Sequence, residues 1–342
     1  MRPSRRSIAA AAALAAALFA AMLAPSLAFA TCGAEGCPCV RRGLADNAGR
    51  FSFDARFLDV TQDELRSGSS VTSLDEVISS TTLHHHIPLY TRTRSWSFEG
   101  RMRVNDRLRL SANLPYVDRE HRRFDRHTPF YTPALVQSWR FRGVGDAVVQ
   151  AQVDAWERAG GPRIAVQAGV KLPTGKRHVA KSAGLFATEP QPTLRPGTGS
   201  TDLLAGVTIT HPMPWQPVLP LSMNVLRRWN GRGTDDYRGG DELQASLSSG
   251  WAVRPWMTLT ALANFSSHAG DSWTEPTADD PYREPSHAGG RALFLTPGAS
   301  VSLGSGITLY GVWQNRVWGE SDQPMVVARN YFLFGSSISL GM

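Results

Sequence analysis

Lysine and cysteine are both scarce in this chain of 342 residues, with three of each. The lysines are Lys171, Lys176 and Lys181, so the positive charge is carried almost entirely by arginine. Three arginines and no acid in the first thirty residues mean that the formal charge falls from +7 to +4 beyond them. A surplus that small gives no electrostatic case for nucleic acid as a partner. Long apolar runs are also missing: after Leu23 none approaches the eighteen residues that a membrane-crossing helix needs. A low-complexity linker is lacking too, so although the length could hold two soluble domains, one large domain is expected. Finally, the chain closes on Ser339-Leu-Gly-Met342 without a terminal aromatic residue, although Phe332 and Phe334 occupy the last segment.

What is present begins with a targeting signal. Arg2, Arg5 and Arg6 precede an alanine- and leucine-rich stretch from Ile8 to Leu23, and Ala28-Phe29-Ala30 completes a signal-peptide pattern over residues 1–30. The mature chain is expected to start at Thr31. Thr31 also argues against lipidation of Cys32, because a small Gly, Ala or Ser belongs before a lipidated cysteine.

From residue 51 onward the chain keeps a two-residue rhythm. Phe51, Phe53, Ala55 and Phe57 skip polar neighbours, as do Trp96, Phe98, Gly100, Met102 and Val104, then Leu108, Leu110, Ala112, Leu114 and Tyr116. Nine more sets follow: 147–155, 164–172, 203–209, 219–225, 243–253, 257–265, 293–303, 307–313 and 332–342. Strict alternation means one apolar and one polar face per strand. Repeated twelve times, an even number, it reads as an all-β, transmembrane, antiparallel up-and-down β-barrel of about 12 strands spanning 51–342.

The connections support that reading. Asn105-Asp106-Arg107, Arg254-Pro255-Trp256 and Gly304-Ser305-Gly306 are short, built from turn formers, and keep parity between flanking strands. The intervening connections, 61–93, 118–145, 173–200, 229–240, 267–290 and 319–327, are long and polar. Short periplasmic turns and long extracellular loops are the two ends of a barrel in the bacterial outer membrane, which places both termini in the periplasm. Trp156, Trp215, Trp251 and Trp256 near one end, and Trp229 and Trp318 near the other, suit interfacial girdles. A secreted β-sandwich alternates as well, but has no reason to sort its turns by length.

Three motifs carry a resemblance. Gly143-Val-Gly-Asp146 opens a strand, Gly169-Val-Lys-Leu-Pro-Thr-Gly175 closes the next, and Pro196-Gly-Thr-Gly-Ser-Thr-Asp202 opens the one after. Together they resemble the outer-membrane family described as transporters of the phenol-degradation meta pathway, closely over 143–206 and in pattern elsewhere. The resemblance implies a transport barrel for aromatic or other hydrophobic compounds. By position alone, the Gly and Asp residues of these motifs read first as shapers of strand ends.

Alternation also predicts a polar lumen, with seven cations (Arg56, Arg101, Arg103, Arg109, Arg163, Lys171, Arg228) against four acids (Asp54, Glu99, Asp154, Glu242). Pairing Val104 with Leu108 sets Arg103 directly across from Arg109, with Arg101 further along. Like charges so placed repel unless an acid or a solute anion lies between them. Two readings stand: an anion-favouring constriction of Arg101, Arg103 and Arg109 beside Glu99 and Asp54, or an arginine cluster neutralised by Asp54 or Glu99 as internal packing. A twelve-stranded lumen is narrower than a general porin's, so a passive channel for small anionic or aromatic solutes is the expected function.

Residues 31–50 hold Cys32-Gly-Ala-Glu-Gly-Cys37-Pro-Cys39. One disulfide with an odd thiol, a soft-metal site such as Cu(I), and an intermolecular disulfide to a periplasmic protein partner all stand open, whereas the spacing is wrong for structural zinc. No resident cofactor is otherwise expected. Eight of the nine histidines fall in or beside long connections, including the run His84, His85 and His86. They read as solvated loop residues or as ligands capturing metal at the outer mouth. Ser266-Ser-His268 and Ser286-His287 raise the thought of a membrane lipase, but adjacent strand residues face opposite ways, and no enzyme is expected. A scaffold barrel for a periplasmic partner is the remaining class.

Overall fold

The computed structural model describes residues 49–80, 85–126, 135–182, 190–213, 220–272, 286–287 and 289–340. The signal peptide, the cysteine segment 31–48 and Trp215 lie outside the described residues. Twelve strands form the barrel: β1 Phe51–Gln62, β2 His85–Arg103, β3 Leu108–Arg126, β4 Ala147–Glu157, β5 Arg163–Leu172 and β6 Asp202–His211, then β7 Leu221–Trp229, β8 Glu242–Arg254, β9 Met257–His268, β10 Gly290–Gly304, β11 Ile307–Val327 and β12 Asn330–Leu340. Each pairs antiparallel with the next, and β12 returns to β1 in a ladder from Phe51↔Leu340 to Val60↔Tyr331. No barrel strand is left with a bare edge, the condition for backbone that crosses lipid.

The two faces follow the sequence rhythm. Phe98 is 44% exposed and its neighbour Glu99 only 1%, because alternate side chains point to lipid and to lumen. Phe51, Phe53, Leu110, Leu114, Val149, Leu203, Met223, Leu247, Leu259, Leu309 and Phe334 are likewise exposed and belong to the expected outward sets. On the outer face, Phe57, Trp96 and Tyr116 form a chain of tilted rings at 5.1 and 6.0 Å, and Trp313, Phe332 and Phe334 stack at 6.3 Å. Trp251 and Trp256 are exposed at the short-turn end. Replacing Phe98 with arginine should destabilise the barrel by about 2–4 kcal/mol, the cost of a lipid-facing cation in mid-belt. Urea unfolding from detergent or lipid vesicles would measure it, and an unchanged midpoint would contradict a lipid-facing Phe98.

The short turns owe their shapes to their residues. Asn105 Oδ1 accepts from the backbone N–H of Arg107 and Leu108, both at 2.9 Å, which closes the β2–β3 hairpin. In Gly304-Ser305-Gly306 all three residues have positive φ, 81°, 51° and 75°, a path for which the two glycines carry no Cβ penalty.

At the other end the strands run further than hydropathy indicated. β2 begins at His85, β3 continues to Arg126 and β11 to Val327, so all of 319–327 and much of the described part of 118–145 are strand rather than loop, and the described part of 61–93 is strand together with a short helix Leu74–Ser80. The β11–β12 connection is the two residues Ala328 and Arg329. Beyond the apolar belt both faces of a strand meet polar surroundings, so the alternation fades while the backbone ladder persists. Additional strands thicken this collar: Leu135–Val144 pairs with the far half of β3, and Glu64–Gly68 with the far end of β11.

Candidate functional site

The three motifs converge on one buried cation. Lys171, 2% exposed on the inward face of β5, has its ammonium 2.9 Å from Asp146 Oδ2 and 3.0 Å from Asp202 Oδ2. It also donates to Thr198 Oγ1 at 2.5 Å and Ser200 Oγ at 3.1 Å. Asp146 in turn accepts the backbone N–H of Gly175 at 2.9 Å and of Thr198 at 3.0 Å. Asp202 accepts from the Ser200 hydroxyl and the Gly231 N–H, and Arg228 Nε lies 3.3 Å from its Oδ2. Each motif thus supplies one layer of a charge-assisted network that fixes both ends of the segment 173–200. The loop-shaping reading of these residues fits this geometry, and so does their nearness to the lumen.

The described residues of that segment, 173–182 and 190–200, pack inward. Arg119, on the lumen face of β3, donates to the carbonyls of Thr193 and Leu194 at 3.1 and 2.7 Å. Leu194 and Val179 pack with Trp139 and Phe141 of the strand Leu135–Val144. Arg195 reaches Asp235 at 3.2 Å in the neighbouring connection. The close approach that allows this needs two glycines: a Cβ on Gly197 would stand 2.6 Å from the Gly175 carbonyl carbon, and one on Gly175 2.7 Å from the Gly197 Cα. Tyr237, almost fully buried in the next connection, donates its phenol to Asp271. Burial, reinforced by the Asp271 charge, pushes the phenol well above its ordinary range, so it stays protonated and donating.

Between the inturned segment and the wall lies a chamber of about 170 Å³, with Arg56, Arg119, Lys171, Arg195 and Arg228 on its surface against Asp146, Asp202 and Glu242. Its lining is also partly apolar, an addition to the polar lumen that the alternation predicted. Leu58, Val117, Leu204, Leu226 and Leu333 face it. Beside it Leu58, Val60, Leu262, Tyr310, Val312 and Leu333 form a buried apolar cluster on the inward face. Gly298 and Gly335 make room for that cluster, since a Cβ there would strike Val312 and Tyr310. The signal was available in the sequence as apolar residues at the wrong parity in β1, β9, β11 and β12.

The predicted arginine cluster assembles lower in the barrel, by the short turns. Arg103 pairs directly with Arg109 in the β2–β3 ladder, and Asp54 with Glu99 between β1 and β2. Arg101 Nε donates to Glu99 Oε1 at 2.9 Å, Arg56 lies 2.9 Å from Asp54 and 3.5 Å from Glu99, and Arg109 lies 2.8 Å from Asp154. Tyr310 donates to the other oxygen of Asp54 at 2.7 Å. Acids therefore interleave with the arginines, and Asp154 joins the group as a residue not foreseen in it.

The remaining candidates disperse. His85 and His86 open β2 rather than lying in a loop, and His84 is outside the described residues, as are Cys32, Cys37 and Cys39. His121 is buried against Thr91, its Nδ1 at 2.8 Å from the hydroxyl, and stacks on Trp139. His268 faces the chamber with Nε2 3.7 Å from Glu242. Among the described residues, no three His, Cys, Asp or Glu side chains are disposed to hold a metal ion.

A family model described as "Putative MetA-pathway of phenol degradation" matches residues 90–319, well over half of the chain. The chain belongs to this family. The fold agrees with that of an outer membrane channel from Pseudomonas putida F1, at a TM-score of 0.59 and 10% identity, over 86% of this chain and 97% of that one. The toluene transporter TbuX of Ralstonia pickettii aligns at a TM-score of 0.44 with 10% identity, over 89% and 94% of the two chains. A FadL homologue of Pseudomonas aeruginosa aligns at 0.41 with 10% identity, over 85% and 90%. No curated protein matches in sequence. The phenol-degradation family member is thus an outer-membrane β-barrel of twelve strands.

Proposed function

We propose that this barrel is a passive channel for small solutes, favouring anionic and aromatic ones, with its short turns and both termini on the periplasmic side. The observation that carries the reading is the inturned stretch 190–200, which leaves a chamber of single-molecule size inside a closed wall. A structural scaffold has no need of an internal chamber with both charged and apolar surface. Family membership supports a link to aromatic compounds, and the neighbouring channel supports the same architecture for transport.

Purified protein in liposomes should admit small neutral, anionic and aromatic solutes at rates that fall steeply with size, as a restricted lumen demands. Liposome swelling measures this. Absence of swelling with every solute, together with co-purification of a stable periplasmic protein, would overturn the channel in favour of a scaffold.

A further inference from the structure

Resting on the proposed orientation, with the short turns in the periplasm, we infer that the outer face of β1, β2, β3 and the strand Leu135–Val144 binds the lipid A phosphates of outer-leaflet lipopolysaccharide. The strand registers place the parts. Phe57, Trp96, Tyr116 and Val144 pair in one outward row, the girdle at the far end of the lipid belt. Aromatic rings of such girdles sit at headgroup level. One step further along the strands, about 7 Å, the outward row is Asp59, Arg94, Asp118 and Arg142. The row beyond it is Thr61, Arg92, Glu120 and Arg140, and in the third Arg122 pairs with Tyr90 and Ser138. The arginines thus begin where acyl chains end, above the girdle and the exposed, lipid-facing pair Phe98 and Leu114.

Charge and position select the ligand. Five arginines face three acids over these rows, an excess of two positive charges. Arg92 holds Asp59 through hydrogen bonds at 3.0 and 2.7 Å, and Arg122 holds Glu120 at 2.7 Å. Among the described residues, the side chains of Arg94, Arg140 and Arg142 have no hydrogen-bond partner. Arg94 stands 3.8 Å from the Asp59 oxygen that Arg92 already occupies, and Arg140, its side chain 72% exposed, stands 3.9 Å from Asp118. Both separations are beyond hydrogen-bond range. Arg142 is exposed. Guanidinium forks match phosphate oxygens in pairs. A neutral headgroup would leave these three to water, and a soluble anion would not use the aromatic and apolar surface beneath them. A phosphorylated lipid engages both. Across the barrel, the described outward arginines at this end of β7 and β10 stand singly, Arg227 3.9 Å from Asp241 and Arg291 3.6 Å from Glu320. The site therefore belongs to one side of the wall.

Titration of fluorescent lipid A into the mature protein, refolded from urea so that it carries no native lipid, tests the inference by anisotropy in detergent micelles. Lipid A should bind roughly a hundredfold more tightly than lipid A stripped of its phosphates, at about fivefold for each of three arginines beside a charged lipid. Phosphatidylglycerol, with one phosphate where lipid A offers two, should bind about tenfold less tightly than lipid A. Arg94→Gln with Arg140→Gln and Arg142→Gln should bring lipid A down to its stripped form. Arg142→Gln alone should weaken binding about fivefold and Arg291→Gln should not change it. Heat-modifiable migration reports that each variant is folded. Equal binding of lipid A and its stripped form, equal binding of lipid A and phosphatidylglycerol, or full binding by the triple variant overturns the site and leaves the channel standing. A peptide tag between Ala30 and Thr31 checks the orientation, and antibody should reach it only after the outer membrane is permeabilised. A tag reached on intact cells puts the short turns outside and overturns the orientation and the lipid site together.

Discussion

Replacing Lys171 by methionine should release the segment 173–200 from the lumen and raise single-channel conductance roughly twofold or more, as expected when an internal constriction is withdrawn. The ammonium is buried between Asp146 and Asp202 and bound by two hydroxyls besides. Without it the two carboxylates stand in a low-dielectric pocket with only Arg228 beside Asp202. Removing one partner of a buried ion pair costs about 3–5 kcal/mol, chiefly through the charge left behind. The barrel ladder does not depend on this cluster, whereas the ends of the loop do, so the loss falls on the loop. Protease cleavage within 173–200 should accompany the rise in conductance. Lys181→Met, at an exposed position in the same segment, should leave both unchanged. Wild-type conductance with a protease-resistant loop in Lys171→Met would show that the network does not hold the segment in place.

The second large effect concerns ion selectivity. Substituting Arg103 and Arg109 together with glutamine should shift the permeability ratio toward cations, by about fivefold per charge if each is screened as in water at close range. The band they occupy has Arg56, Arg101, Arg103 and Arg109 interleaved with Asp54, Glu99 and Asp154. Its balance therefore rests on very few charges. Asp154→Asn should move the ratio the opposite way, because it frees Arg109 from its partner at 2.8 Å. Reversal potentials under a salt gradient report both. If neither variant shifts the potential, the cluster is internal packing and the selectivity lies elsewhere.

Most of the wall was legible because lipid imposes a strict rule on one face. Phe98 against Glu99, or Leu110 against Arg109, declares its side by chemistry alone, and the same rule gave the β2–β3 register that sets Arg103 across from Arg109. The rule ends where the lipid ends. Arg119, Trp139 and Phe141 belong to strands that rise beyond the belt, where inside and outside are both polar or both packed, so residues 118–145 read as loop. The chamber was harder still. Its apolar row required Leu58 and Leu333 to be recognised as apolar residues on the polar parity. Lys171 could be assigned to the lumen by parity, but its partners come from residues 146, 198, 200 and 202, whose meeting depends on the path of the segment between them.

The seam between β1 and β12 has a consequence for how the molecule comes to exist. It joins residues nearly the whole chain apart; Gly49 N–H, for instance, donates to Ser339 Oγ at 2.9 Å. The other eleven junctions link neighbours in sequence and can be laid down as the chain is delivered, but the cylinder cannot be sealed until the final strand arrives. Closing so long a loop is entropically expensive and slow, and until then β1 presents a bare edge. Assembly is thereby made all-or-none: a chain cut short anywhere before Asn330 keeps its hairpins and never becomes a pore.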